Sequence, residues 1–338
     1  MNAKKVLKYV LVAALVGLAG WGVIKDLNKV NDKKDAIRDV RTVTHNGFLK
    51  VEGNKILNQN NEEVQLTGIS SHGIQWFDDL YGYENLKELK EEWGINVFRV
   101  SMYTDPDANG YIANRELKDK VYEIIDDCIS LDMYVVVDWH NLKDNNPLTY
   151  KAEALEFFGE VSEKYKDVPN VIYEICNEPN GNVTWHNSIR AYAEELVAKI
   201  RENTKDSLVI VGTPDYAREL TTVMNAPLEA ENIVYAVHFY AGTDGDKLRK
   251  RIDKFTEAGL AVFVSECGMT DSTGDGAIYE DEFRGWIDYL NEKKISWIYW
   301  SLANKAEASA LLLPNYEKTA RMADYLSESG KIVKKLFE

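Results

Sequence analysis

Eight short apolar runs, each followed by or separated from the next by a segment with helical periodicity, constrain this chain more than any other feature. The runs are Gln65–Ser70, Asn96–Ser101, Tyr134–His140, Val171–Asn177, Leu208–Gly212, Val234–His238, Ala261–Glu266 and Ser296–Trp300. Each is rich in Val, Ile, Phe, Tyr or Trp, and most show no polar alternation, which suits strands buried on both faces of a parallel sheet. Between them, Glu84–Trp93 sets Leu86, Leu89 and Trp93 on one face, and Leu117–Leu131 spaces Val121, Ile124, Ile125 and Cys128 by threes and fours. Ala152–Tyr165, Ser188–Arg201, Lys247–Ala258 and Ile278–Glu292 read the same way. Gly94 and Gly259 stand where helix C-terminal caps belong. Eight such units predict an α/β fold, a single-domain (β/α)8 TIM barrel. An open doubly wound sheet is the alternative. The count of eight and the absence of a Gly-rich phosphate loop after the first run weigh against it. Ahead of the barrel, Phe48, Leu49, Val51, Ile56 and Leu57 flank Gly53-Asn54, which predicts a short N-terminal hairpin that closes the barrel bottom.

The chain start has a different character. Lys4, Lys5 and Lys8 precede an uncharged stretch from Tyr9 to Ile24, with small residues in Gly17-Leu18-Ala19. A basic start before an apolar run reads as an export signal. Residues 1–24 are therefore expected to be a signal peptide or a membrane anchor, and both readings stay open because the run is short for a span of ~20 residues. Membrane association would run through residues 6–24, leaving the rest outside the cytoplasmic membrane, secreted or anchored at its outer face. Residues 25–45 are polar and charged and read as a linker, and residues 46–338 as the catalytic domain.

A net charge of −15 excludes a nucleic-acid partner, whose phosphates such a surface repels, and is compatible with a neutral ligand. The three cysteines, Cys128, Cys176 and Cys267, are odd in number and widely spaced, so buried free thiols are expected. A monomer is expected.

In a barrel, chemistry collects at the C-terminal ends of the strands. Here those ends carry Ser71-His72-Gly73, Arg99 with Tyr103, Asp138-Trp139-His140, Asn177-Glu178-Pro179, His238-Phe239-Tyr240, Ser265-Glu266 and Trp300. Glu178 and Glu266 each directly follow an apolar strand, the fourth and the seventh. One such glutamate reads as a solvated strand end; two on one rim, among imidazoles and indoles, read as a carboxyl pair. Paired carboxyls flanking a bond are what glycosidic cleavage requires, one to protonate the leaving oxygen and one to attack the anomeric carbon or activate water. No His-x-His or His-x-x-x-His spacing supports a metal site, and no Gly-x-Ser-x-Gly supports a serine nucleophile, so neither metal nor cofactor is expected. Of the eight tryptophans, Trp76, Trp185 and Trp300 are candidate exposed sugar platforms, whereas Trp93, Trp286 and Trp297 are assigned to the core.

The motifs together resemble glycoside hydrolase family 5, specifically its bacterial endo-β-1,4-glucanases. The likeness runs from about Gly47 to about Ser309 and rests on Thr67–Trp76, Val97–Thr104, Val137–His140, Tyr173–Gly181, His238–Gly242, Phe263–Glu266 and Trp300–Leu302, in order and at barrel spacing. The resemblance implies retaining endo-hydrolysis of β-1,4-glucosidic linkages in a cellulose-like polysaccharide. By the same resemblance Glu178 is the acid/base and Glu266 the nucleophile. Asn177 binds the sugar 2-hydroxyl, Arg99 and Tyr240 hold the nucleophile, and His140 and His238 line the cleft centre. Trp300 is the platform at the cut, His72, Trp76, Tyr103, Lys305 and Glu307 line the non-reducing side, and Trp185 is the platform on the leaving-group side. Burial is expected to raise the pKa of Glu178 so that it is protonated near neutral pH. Pro179 holds Glu178 in extended backbone. The alternatives are a mannanase or xylanase of the same clan and a non-catalytic polysaccharide-binding barrel; Lys305 and Glu307 favour glucan, and the presence of both glutamates favours an enzyme. The chain departs from the family at Cys267 and Asn304, and at Thr213-Pro214-Asp215-Tyr216, where relatives often carry tryptophan in the loop after strand five.

Overall fold

The computed structural model describes residues 40–337. A hairpin comes first: β1 (Lys50–Glu52) pairs antiparallel with β2 (Lys55–Leu57) around Gly53, whose φ of 60° is the left-handed turn conformation glycine adopts without strain. Eight parallel strands then close into a barrel. They are β3 (Thr67–Ser71), β4 (Val97–Tyr103), β5 (Tyr134–His140), β6 (Val171–Glu174), β7 (Val209–Val211), β8 (Ile233–Tyr240), β9 (Val262–Gly268) and β10 (Trp297–Leu302). Each pairs with the next in chain order, and β10 pairs back with β3. The eight apolar runs are these eight strands. The run expected to reach Asn177 stops pairing at Glu174, and β8 extends two residues beyond the expected His238.

The helices fall where the periodicity places them: Leu117–Ser130, Lys151–Lys164, Arg190–Arg201, Asp246–Glu257 and Glu280–Glu292. The first expected helix begins at Tyr83 and finishes with a wider π turn over Leu89–Trp93 that Gly94 ends at φ 81°. A last helix, Glu328–Phe337, closes the described chain.

Alternate residues of each strand serve two cores. Outward side chains such as Phe98, Val100, Val135, Val137, Tyr173 and Phe239 join the helices in one large cluster. Inward ones, including Val97, Tyr134, Val136, Ile172, Val234, Ala236, Phe263 and Ile298, fill the lower barrel together with Leu49 and Ile56 of the hairpin segment. The hairpin therefore plugs the bottom. Higher in the barrel the inward positions turn polar. Arg99 and Ser101 follow Val97, Asp138 and His140 follow Val136, Glu174 follows Ile172, and His238 and Tyr240 follow Ala236. That change of character along the barrel axis positions the site at the top.

The export segment expected over residues 1–24, and most of the expected linker, lie outside the described residues. The linker's last residues pack on the barrel: Val43 is buried and the Thr44 N–H donates to Asp132 Oδ1 at 2.8 Å. Among the described residues no helix is long and apolar enough to cross a membrane. All three cysteines are buried and free.

Candidate active site

Glu178 follows β6 and Glu266 lies within β9, and their side chains meet at the barrel mouth. A carboxylate oxygen of each, together with a ring nitrogen of His238, all lie within 4.8 Å of one another. The backbone of β9 makes this approach possible. From Ala236 to His238 on β8 is two residues, but the partner stretch on β9 runs three, from Phe263 to Glu266, and β10 meets the same extra residue between Val264 and Cys267. The extra residue is a bulge, which re-aims side chains. Without it Ser265 and Glu266 would face opposite ways; with it Ser265 meets His238 and Glu266 meets Arg99, both inside the barrel.

Both oxygens of Glu266 are held. Arg99 Nη1 donates to Oε2 at 3.1 Å and the Tyr240 hydroxyl donates to Oε1 at 2.7 Å. Gly268 makes room for the tyrosine, since a Cβ there would stand 2.6 Å from the Tyr240 ring. Arg99 is fully buried and gives every face of its guanidinium to the site. Nε donates to Glu174 Oε2 at 2.6 Å, and Nη2 donates to Asn177 Oδ1 at 2.7 Å and meets Asp138 Oδ2 at 3.0 Å. Burial disfavours its charge, but the surrounding carboxylates outweigh that and raise its pKa. Glu174 moves the opposite way: burial pushes it up, Arg99 pulls it down further, and it settles at about 2.

The amide of Asn177 has a fixed orientation, because Arg99 Nη2 can only donate and so takes Oδ1. Its Nδ2 then faces His140 Nε2 at 3.4 Å, and His140 Nδ1 lies 2.6 Å from Asp138 Oδ2. Burial, reinforced by Arg99, lowers His140 to about 4, so the ring is neutral at physiological pH.

Glu178 Oε1 lies 2.8 Å from His238 Nδ1. Burial raises its pKa, but the His238 hydrogen bond and charge outweigh burial and leave it lowered. The expected upward shift is thus reversed, because the sequence motif around Glu178 did not reveal an imidazole in contact with it. His238 responds reciprocally. Burial works against its cation, yet Glu266, Glu174 and Glu178 lift it to about 9. The two opposite shifts have one cause, the 2.8 Å hydrogen-bond contact between these groups.

The cleft above these groups has a volume of about 640 Å³. His72, Tyr103, His140 and Trp300 make an aromatic wall, with His140 stacked on Trp300 at 5.4 Å and Trp76 at 4.8 Å from Tyr103. Trp76 is 46% exposed, whereas Trp300 shows only part of its ring at 6%. Lys305 pairs with Glu307 beside His72 at the same end.

Trp185 is not part of this cleft. It is wholly buried, donates from Nε1 to Ala226 O at 2.7 Å, and packs edge-on against Tyr235. Thr184 and Asn187 each bond the other's backbone N–H in a capping box, which starts the helical turn on which Trp185 is the first residue. Besides Trp76, the exposed ring that does line the cleft is Tyr216, 40% exposed, in the loop after β7. Asp215, Tyr216 and Ala217 all have left-handed φ, 56° to 59°, a backbone strain that clusters at ligand sites. The Tyr216 N–H donates to Pro179 O at 3.2 Å, tying this loop to the residue after Glu178.

Sequence reading also missed Glu174 and Ser265, both wholly buried beneath the carboxyl pair. Their signal was phase: each sits at an inward position of its strand. Glu178, His238 and Glu266 are close enough to chelate a cation. However, both oxygens of Glu266 and both ring nitrogens of His238 are already engaged by other residues.

The cellulase model of glycosyl hydrolase family 5 matches residues 57–306. Endoglucanase 5 of Pectobacterium carotovorum subsp. carotovorum is 45% identical over 314 residues, 93% of this chain and 62% of that protein. Endoglucanase A of Evansella cellulosilytica is 46% identical over 275 residues, 81% of this chain and 56% of its own length. The chain thus spans under two thirds of the length of both relatives. Among solved structures, the catalytic domain of Thermobifida fusca endoglucanase Cel5A superposes with a TM-score of 0.83 at 34% identity, covering 87% of this chain and 98% of that one. Cellulase Cel5C_n gives 0.85 at 37%, covering 88% and 93%.

Proposed function

Because the chain belongs to glycoside hydrolase family 5, we propose that it cuts β-1,4-glucan chains internally, with retention, using Glu178 as acid/base and Glu266 as nucleophile. The observation that carries this reading is the carboxylate separation. Carboxylate oxygens that approach within 4.8 Å of one another suit the ~5–5.5 Å pair of a retaining enzyme, which attacks directly, better than the ~6.5–9.5 Å pair of an inverting one.

The residues suit each step. Glu178 gives its proton to the glycosidic oxygen as the bond from that oxygen to the anomeric carbon breaks. Glu266, aimed by Arg99 and Tyr240, forms the new bond to that carbon. Glu178, now a carboxylate, takes a proton from water, the water oxygen attacks the same carbon from the vacated face, and Glu266 is released. The imidazolium–carboxylate form of the His238–Glu178 pair and its neutral form contain the same proton. A polymer covering the cleft expels water, which penalises charges and favours the neutral form with the proton on Glu178. The family resemblance gives Asn177 the 2-hydroxyl; here its Oδ1 accepts from Arg99 Nη2 and its Nδ2 donates to Asn141 O at 3.2 Å, at the floor of the site. His72, Trp76, Tyr103, Trp300, Lys305 and Glu307 take sugars on one side of the cut, and Tyr216 replaces Trp185 as the platform on the other.

The same reading places the protein outside the cytoplasm, where a polymeric glucan is encountered, and the basic and apolar N-terminus supports export. The deciding experiment is trapping with a good-leaving-group 2-deoxy-2-fluoro-cellobioside. A stable adduct on Glu266 is expected, and an unmodified enzyme would overturn the retaining mechanism. The intact mass of the exported protein in the same spectrum tells whether residues 1–24 are cleaved. Carboxymethylcellulose, glucomannan and xylan assayed side by side test the substrate; activity confined to mannan or xylan would overturn the glucan assignment.

The two aromatic positions give opposite expectations. Trp185→Ala should cost ~3–5 kcal/mol of stability, read as a drop in Tm. Tyr216→Ala should leave Tm nearly unchanged and raise KM on polymer by roughly tenfold, the equivalent of ~1.4 kcal/mol of stacking. A KM effect confined to Trp185→Ala would reverse the assignment.

A further inference from the structure

We propose that Glu174 is a positioning residue which, through Ser265, keeps a proton on Nε2 of His238 and so stores the catalytic proton between His238 Nδ1 and Glu178 Oε1. The proposal rests on the acid role of Glu178 and extends it to a buried relay that no strand-end motif contains.

Hydrogen-bond direction fixes each proton in turn. Arg99 Nε can only donate, and it occupies Glu174 Oε2 at 2.6 Å. Glu174 is ionised and can only accept. Its other oxygen, Oε1, lies 2.6 Å from Ser265 Oγ, so the serine hydroxyl must donate to it; the reverse arrangement would set lone pair against lone pair. With its proton spent on Glu174, Ser265 Oγ can only accept from His238 Nε2, 3.1 Å away. Nε2 therefore carries a hydrogen. A neutral His238 then presents a bare Nδ1 to Glu178 Oε1 at 2.8 Å, which requires Glu178 to be the protonated acid. A cationic His238 donates the same proton from Nδ1 to a Glu178 carboxylate. In both forms one transferable proton lies in that contact. Glu174, Ser265, His238 and Arg99 are all wholly buried, out of reach of bulk solvent, where such bonds are electrostatically stronger.

Glu174 also reaches the other carboxylate, since the guanidinium it anchors through Nε is the one that holds Glu266 through Nη1. A single buried carboxylate thus orients both halves of the pair.

Glu174→Gln tests this with little change in volume. Arg99 Nε still requires an acceptor, so the glutamine must turn Oε1 toward it and its NH2 toward Ser265. The amide then donates to Ser265 Oγ, and the hydroxyl proton must turn to His238 Nε2. Otherwise that proton would lie buried with no acceptor, which is strongly disfavoured. The relay reverses: Nε2 becomes bare, Nδ1 carries the hydrogen, and Glu178 is left as a carboxylate. The site's net charge is unchanged, because the negative charge lost at position 174 is matched by the proton that the His238–Glu178 pair gives up.

The first readout is 15N NMR of histidine-labelled enzyme without ligand, with His238 assigned by the loss of its signals in His238→Asn. Wild type should show Nε2 protonated, and Glu174→Gln should show Nε2 bare and Nδ1 protonated near pH 7. The second is activity. Glu174→Gln should lose on the order of 10²-fold on carboxymethylcellulose, where leaving-group protonation is needed, and under roughly tenfold on 2,4-dinitrophenyl cellobioside, where it is not. Ser265→Ala should show the same substrate pattern with a smaller loss, because Nε2 loses its acceptor without gaining a donor. Equal losses on both substrates, or Nε2 still protonated in Glu174→Gln, would overturn the relay. Glu178→Gln measured alongside separates the two ideas. Leaving-group dependence in Glu178→Gln but not in Glu174→Gln removes the relay and keeps the acid role, whereas its absence in Glu178→Gln removes both.

Discussion

Replacing Glu266 by alanine is expected to lower kcat on β-glucan by roughly five orders of magnitude, about 7 kcal/mol of transition-state stabilisation. The loss is large because nothing else can form the bond. Arg99 and Tyr240, which aim the carboxylate from 3.1 and 2.7 Å, would remain as a polar pocket with no nucleophile. The same cavity makes the test specific. Azide can enter the space left by the side chain and attack an activated cellobioside from that face, giving a glycosyl azide of inverted configuration. Recovery of that product by NMR identifies Glu266 as the nucleophile; rescue with retained configuration would show that another group attacks. The fold should persist, since Glu266 is at the cleft floor and the apolar layers beneath it are untouched.

Glu178→Gln is the second large effect. Loss of a positioned acid should lower activity on polysaccharide by ~10³–10⁴-fold, while a 2,4-dinitrophenyl leaving group departs without protonation and should suffer much less in the first step. The variant also withdraws one of the carboxylates that hold the His238 cation, so the imidazole titration should move down from about 9. Both measurements follow from the 2.8 Å contact between Oε1 and Nδ1. An unchanged imidazole titration would mean that this contact does not govern the proton.

The barrel was legible because its signal is repeated and local. Phe98, Val100, Val135 and Val137 face the helices while Val97, Tyr134 and Val136 face the axis, so both faces of each strand are apolar low in the barrel and the run looks uninterrupted. The strand-end glutamates were legible because a carboxylate directly after such a run has few structural reasons to be there. Trp185 is buried for a reason only partly written locally: the Thr184–Asn187 capping box marks a helix start there, but the inward ring depends on its contacts with Ala226 and Tyr235. Tyr216 could not be assigned from spacing, because its exposure depends on three successive left-handed residues in a loop whose shape the sequence does not announce.

By itself, the sequence determined the architecture, the rim on which polar groups collect, and the two carboxylates, because strand period, helix period and strand-end chemistry are properties of neighbouring residues. Only the tertiary structure decided the distance between Glu178 and Glu266, the protonation of the groups beneath them, and which ring faces the cleft. Those depend on a one-residue bulge in β9 and on a guanidinium and an imidazole brought from β4 and β8. Charges in a buried site act through space and hydrogen-bond direction, so their effect follows from three-dimensional contact and not from position along the chain.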